Sequence, residues 1–271
     1  ISSEFQYVVD DIEQGSVVVA ISQSGETADV LEVVKAAKRV GSTIVSIVNV
    51  PTSSLARLSD CFLNIDCGAE IGVAATKSFT SQLTMLYLIA DTLSGGALGV
   101  ENKRYKLRNA VRDLIQNQDL FELIAEELKE SKDIYVLGRS IHYPIALEGA
   151  LKIKELSYIH AEGIPAGELK HGPLALIDSN SCVVVLNPND STYHDIKANA
   201  HEIKTRGASI IGIGNAPNEV YDRFITLPQV DEFFYPLLEV IPFQMIAYYL
   251  ALKRNADPDY PRNLAKSVTV K

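Results

Sequence analysis

Three stretches of the 271-residue chain concentrate side chains that can do chemistry. The first is SQSGET, Ser22–Thr27. It holds the hydroxyls of Ser22, Ser24 and Thr27, the amide of Gln23 and a glycine at 25, with no lysine or arginine. Such a donor-rich loop suits the phosphate monoester of a small molecule, provided it opens a helix whose free N–H groups and dipole favour an anion. Helix capping is the plainer alternative, and it needs only one hydroxyl. The second stretch is YPIALEGALKIKELSYIHAEGIPAGELKHGPLALID, from Tyr143 to Asp178. Glu148, Lys152 and Glu155 fall at i, i+4 and i+7, one stripe of one helix face. A solvated ion-pair stripe has the same spacing and contributes a few tenths of a kcal/mol. The segment Gly163–Pro173 that follows adds Glu168, Lys170 and His171, and an acid, an amine and an imidazole beside a carboxylate-bearing helix fit proton transfer. The third stretch is the tail RNLAKSVTVK, where Lys266 sits between Ala265 and Ser267. A lysine in a closed pocket loses its charge and attacks carbonyls; a lysine near a chain end is otherwise a solvated charge.

These groups need elements to hold them. Apolar β-branched runs bounded by turn residues predict strands at Val17–Ser22, Thr43–Asn49, Cys61–Asp66, Ile134–Gly138, Cys182–Asn187, Ser209–Asn215 and Phe224–Leu227. Helical spacing predicts helices at Thr27–Val40, Thr76–Leu93, Lys103–Lys129, Pro144–Tyr158, Thr192–Arg206 and Phe233–Lys253. Continuous apolar strands alternating with helices make a parallel sheet covered on both faces.

The pattern occurs twice. SVVVAISQSGETADVLEVVKAAKRVGSTIVSIVN aligns with SCVVVLNPNDSTYHDIKANAHEIKTRGASIIGIGN, and Val17 to Thr43 spans the same 26 positions as Val183 to Ser209. Two homologous α/β units are expected, joined near Gly95–Glu101. The second opens with an extra strand and helix, Ile134–Tyr158, for which the first has no room, so the first unit reads as truncated at its N-terminus. NPNDST replaces SQSGET in the second copy, so a ligand is expected at the first loop alone.

Composition narrows the classes. A formal net charge of −9 argues against a nucleic-acid partner. No apolar run reaches the ~18 residues of a membrane span. Cys61, Cys67 and Cys182 cannot all pair with one another and lack metal-ligand spacing, which predicts a reducing, cytoplasmic setting without a metal site. His194 and His201 lie seven apart with no third ligand, His142 precedes a helix start, and His160 is near enough in sequence to join the proton-transfer groups but is read first as structural.

SQSGETADV, GAEIGVAATKSFTSQL, ALEGALKIKELSYIHAEGIPAGELKHGPLALID and PRNLAKSVTVK together resemble the isomerase half of the glutamine–fructose-6-phosphate aminotransferases, from about Ser3 to the last residue. The resemblance implies two sugar-isomerase (SIS) domains, each a flavodoxin-like parallel sheet with helices on both faces. They are expected at residues 1–98, incomplete at its start, and 99–255, with an active-site tail at 256–271. It implies that Ser22, Gln23, Ser24 and Thr27 bind the phosphate and that Val73 and Ala75 contact the sugar. By the same resemblance Lys266 forms a Schiff base, Glu155 moves a proton between C1 and C2, and Lys152 lies near that base. His171 assists ring opening, reaching the site from the neighbouring subunit of a homodimer. Fructose 6-phosphate and ammonia would give glucosamine 6-phosphate with no cofactor, the ammonia coming from a glutaminase domain that this chain lacks. Many members carry serine at the position of Ala75. The chain is accordingly expected to be a fragment, with upstream residues completing the first SIS domain and then a glutaminase. A glucosamine-6-phosphate deaminase or deglycase on the same fold, and a non-catalytic sugar-phosphate sensor, remain open at this stage.

Overall fold

The computed structural model describes residues 1–267 and 269. It divides into two compact units, Ile1–Val100 with the tail from Arg262, and Glu101–Pro261.

In the first unit a short helix α1 (Ser2–Phe5) and a 3-10 turn (Val9–Asp11) precede β1 (Val17–Ser22), α2 (Ala28–Arg39), β2 (Thr43–Val48), α3 (Ser54–Leu58), β3 (Cys61–Asn64) and α4 (Lys77–Leu93). The strands are parallel in the order β1-β2-β3, with Val17 opposite Thr43 and Val45 opposite Cys61. Alternate residues of a strand point to opposite faces. On one face Ala20 joins Val34 and Ala37 of α2 with Ile44, Val48 and Leu55 in a buried cluster. On the other, Val17, Val19 and Ile21 remain 63%, 48% and 38% exposed. Asp29 in the first turn of α2 and Lys38 and Arg39 in its last complement the helix dipole.

The second unit follows α5 (Val100–Ile115) and α6 (Gln118–Leu128) with β4 (Asp133–Gly138), α7 (Tyr143–Ser157), β5 (His160–Pro165), β6 (Cys182–Asn187), α8 (Tyr193–Lys204), β7 (Ser209–Gly214), β8 (Arg223–Thr226) and α9 (Tyr235–Lys253). All five strands are parallel, in the order β5-β4-β6-β7-β8. Counted within the unit this is 2-1-3-4-5, the flavodoxin-like order. Tyr135, Leu137, Val183 and Val185 pack with Ile196, Ala200 and Ile203 of α8. On the opposite side α7 packs on β4 and β5, and α9 packs on α7 and α6. Every residue of β6 is buried, as expected of a strand covered on both faces.

Each predicted strand forms, with ends shifted by up to two residues, and three features differ from the sequence reading. The expected helix Lys103–Lys129 is interrupted where Asn117 turns to ψ 39° and its carbonyl accepts from the N–H groups of Leu120 and Phe121. The segment Gly163–Pro173, given neither strand nor helix by the sequence reading, instead finishes β5 and then forms a 3-10 turn, Ala166–His171. Its glycine and proline disguise a strand that lies at the sheet edge, where proline is tolerated. Gly163 is needed there, because a Cβ would lie 2.7 Å from the Leu147 backbone nitrogen on α7. The second unit therefore has two strands, β4 and β5, without a counterpart in the first, where one was expected. By length and composition alone the stretch Glu232–Lys253 could cross a membrane, but 72% of its apolar window is buried inside the protein, as in a core helix.

Candidate active site

In the first unit, β1 delivers Ser22 to the carboxyl end of the sheet, where it is 7% exposed. Its Oγ accepts from the Gly25 N–H at 3.1 Å and lies 3.0 Å from Thr27 Oγ1, which closes the loop on itself. Ser24 Oγ accepts from the Glu26 N–H at 3.2 Å. Thr27 is the N-cap of α2 but makes no side-chain cap bond, so helix capping does not account for these hydroxyls. Gly25 has a φ of +67°, and a Cβ there would fall 2.1 Å from Ser53 Oγ. The glycine is thus required by its conformation and by the approach of α3, besides any ligand. Glu26 turns to the same helix: its carboxylate accepts from the Ser54 N–H at 2.7 Å, and that bond holds its pKa below the ordinary value.

The tail meets this loop. Ser267 Oγ donates to Ser24 Oγ at 3.2 Å. Lys266 Nζ donates to the Gly72 carbonyl at 2.5 Å, next in the chain to Val73, and lies 3.5 Å from Glu70 Oε2. Glu70 Oε1 accepts from the Thr76 and Ser78 N–H groups at 2.8 and 3.3 Å, at the start of α4. Burial pushes the Glu70 carboxyl up, yet the bonds from Ser78 and Thr76 and the Lys266 charge outweigh it and hold the pKa low. Ala75 and Val73 lie half-buried in this same segment. Lys266 is therefore no free surface charge, and Glu70 and Ser267 belong to the cluster. Sequence reading singled out neither, although Glu70 stands in the quoted GAEIGVAATKSF motif.

In the second unit the charged stripe of α7 is internal. Lys152 is 2% exposed, with Nζ 2.6 Å from Glu155 Oε2 and 3.3 Å from Glu148 Oε1. The side chains of Glu155 and Glu148 are 21% and 13% exposed, which removes the solvated-stripe reading. Burial above all, with the Glu155 charge, raises the Glu148 pKa against the pull of Lys152. The 3-10 turn does not gather its polar groups. Ala166 and Leu169 anchor it in the core, while Glu168, Lys170 and His171 fan outward. Lys170 pairs with Glu202 at 2.7 Å, and His171 is exposed without a hydrogen bond or ion pair among the described residues.

The buried polar centre of this unit is one that sequence reading passed over. His142 is fully buried, with Nε2 2.7 Å from Asp190 Oδ2 and Nδ1 2.9 Å from Glu239 Oε2. Burial lowers the imidazole pKa, but the bonds and charges of Glu239 and Asp190 together raise it above the ordinary value. His160 pairs with Asp133 on the surface at 2.8 Å. The cysteines are unpaired, and burial pushes the Cys182 thiol up to about 12. Among the described residues no group of His, Cys, Asp and Glu could hold a metal ion.

Comparison with known proteins fits this geometry. The chain is 45% identical over 282 aligned positions to a glutamine–fructose-6-phosphate aminotransferase (isomerizing) of Thermococcus kodakarensis, and 44% identical over 273 to that of Aquifex aeolicus. The alignments cover 99% of this chain but 46% of each relative, so the chain spans about half their length. Among solved structures it resembles the C-terminal domain of glucosamine-fructose-6-phosphate aminotransferase from Francisella tularensis, with TM-score 0.88 and 36% identity over 96% of this chain and 78% of that one. It also resembles glucosamine-6-phosphate deaminase from Thermotoga maritima, with TM-score 0.82 and 26% identity over 97% of this chain and 78% of that one. The SIS domain description matches residues 1–91 and again 127–254, and the chain belongs to the SIS domain family.

Proposed function

We propose that the chain is the isomerising half of a glutamine–fructose-6-phosphate aminotransferase and makes glucosamine 6-phosphate from fructose 6-phosphate and ammonia. The observation that carries the reading is the meeting of the tail with the SQSGET loop: Ser267 bonds to Ser24, and Lys266 is held beside Gly72. Ser22, Gln23, Ser24 and Thr27 hold the phosphate, and Val73 and Ala75 contact the sugar. Because the phosphate is remote from the reacting carbons, its role is positioning. Lys266 condenses with the C2 carbonyl and releases water, and ammonia then displaces the lysine to give fructosimine 6-phosphate. Glu155 removes a proton from C1 and returns one to C2, with Lys152 fixing the carboxylate from 2.6 Å away. His171 assists ring opening from a second copy of the chain in a homodimer. A glutaminase partner domain supplies ammonia, in keeping with relatives of about twice this length, and the setting is cytoplasmic.

Borohydride trapping with fructose 6-phosphate tests the central step. An adduct is expected on Lys266 and none on Lys266→Arg, which keeps the charge but cannot form an imine. An adduct on the arginine variant refutes the assignment. Glu155→Gln should abolish exchange of the C1 proton with deuterated solvent while binding of an open-chain hexitol phosphate persists. The likeness to a glucosamine-6-phosphate deaminase favours a second reading, release of ammonia from glucosamine 6-phosphate. Product assays in both directions, with free ammonium as the nitrogen source, separate the two.

A further inference from the structure

Glu70 is both buried, its side chain 4% exposed, and held independently of the amine it faces. Oε1 takes the Thr76 and Ser78 N–H groups at 2.8 and 3.3 Å and the Thr76 hydroxyl at 3.3 Å. Oε2 takes the Ser78 hydroxyl and still faces Lys266 Nζ at 3.5 Å. Donors at the start of a 17-residue helix thus fix a negative charge in place before any substrate arrives. The Gly72 carbonyl, 2.5 Å from the same nitrogen, aims the amine from a second direction.

We infer that Glu70 is a positioning residue for Lys266, the fixed counter-ion of its ammonium group and of the iminium that replaces it. The inference rests on the reading of Lys266 as the imine-forming lysine. Condensation converts R–NH3+ and O=C into R–NH+=C and water. The C–N bond forms, the C–O bond breaks, and the oxygen leaves with two of the three ammonium hydrogens. The nitrogen bears one positive charge before and after. A carboxylate held at constant distance therefore pairs with both states and needs no reorganisation between them. Glu70 is poorly placed to carry the proton itself, because both its oxygens already accept hydrogen bonds, which leaves base chemistry to Glu155.

Glu70→Gln is the test, since its amide oxygen keeps an acceptor for the Thr76 and Ser78 N–H groups, while the charge is lost and the atom facing Lys266 becomes an N–H donor. The whole chain is used, with three readouts. Affinity for a hexitol 6-phosphate, which has no carbonyl, should stay within about twofold of the parent, because the loop is untouched. The initial rate at which borohydride-trapped adduct appears on Lys266 should fall about tenfold, because the amine is no longer aimed at the sugar carbonyl, and Glu70→Asp should recover part of it. Acetylation of Lys266 by acetic anhydride, which forms no iminium, followed by peptide mapping, should run about tenfold faster in Glu70→Gln, as the amine is released from its pair. An unchanged rate of adduct formation in Glu70→Gln overturns the inference. So does a parallel loss of hexitol phosphate binding, which would make Glu70 a structural cap only. If the parent chain gives no adduct on Lys266, the reading of Lys266 fails; the acetylation rates then decide the pairing alone, and equal rates refute it.

Discussion

The strand–loop–helix β1–α2 and its copy β6–α8 share length and register but not surroundings. Val19 and Val184 are each the third residue of their strand, yet Val19 is 48% exposed and Val184 is 1% exposed. The second copy has one residue more between its strands than the equal spacing of the sequence reading allows, since Val17 lies opposite Thr43 but Cys182 opposite Ser209. β1 is an edge strand covered on one face, and β6 is a central strand buried on both. The loops diverge in parallel. Gly25 of the first copy aligns with Asp190 of the second. The Asp190 carboxylate accepts from the Thr192 N–H and hydroxyl at 2.8 Å each and bonds His142 at 2.7 Å. The second loop has thus supplied its own anion at the start of its helix, where the first presents hydroxyls and a bare glycine. Ser22 ties the first loop together through the Gly25 N–H and Thr27 Oγ1, whereas Asp190 ties the second to Thr192 and His142.

The largest contrast is expected in the strands. Val184→Asp puts an unpaired carboxylate into a doubly covered strand and should unfold the second unit, at a cost above ~4 kcal/mol. Val19→Asp should cost below ~1 kcal/mol, because its face is open to water. Urea melts of both variants decide this, and equal losses would mean that the two faces are not differently covered in solution. Next in size is the carboxylate that closes the second loop. Asp190→Ala leaves the buried imidazole without one of its two partners and should cost ~3–5 kcal/mol. A loss below ~1 kcal/mol would show that the cluster does not hold the loop. The loops themselves come third. Ser24→Ala should weaken sugar-phosphate binding by ~1–3 kcal/mol, while Asn189→Ala at the matching position leaves it unchanged. Calorimetry showing equal losses at both positions would refute a single phosphate site.

The smallest effect is one of pH. The folded pKa of His142 is raised by Glu239 and Asp190, although burial opposes them. The stability it contributes is complete below the ordinary imidazole pKa of ~6.5 and fades as pH rises through the higher folded value. Glu239, raised chiefly by its burial, adds to the decline with rising pH. Asp190 is lowered, by His142 and Thr192 against its burial, so its contribution is lost only as pH falls through the acid range. Stability of the second unit should therefore drop from pH 6 to pH 9, and His142→Asn should flatten the drop. A parallel slope in the variant would remove His142 as its source.

The sheet, the repeat and the hydroxyl-rich SQSGET loop were legible in the residues because each is a local signal. An apolar run such as Cys182–Asn187, a hydroxyl-rich turn and a helical period lie within one element and its neighbours. The spacing of Glu148, Lys152 and Glu155 was equally plain, but spacing is the same whether a stripe faces water or a packed neighbour, and only the fold shows Lys152 at 2% exposure. His142 had no motif at all, since Asp190 and Glu239 reach it from 48 and 97 positions away. Sequence by itself determined the strands, the two copies and the chemistry that SQSGET can offer. Tertiary structure alone decided which face of each copy is covered, that the second loop is closed by its own aspartate, and that Lys266 meets Glu70 across 196 positions. The reason is physical: periodicity is a property of one segment, whereas burial and charge pairing depend on the segment that packs against it.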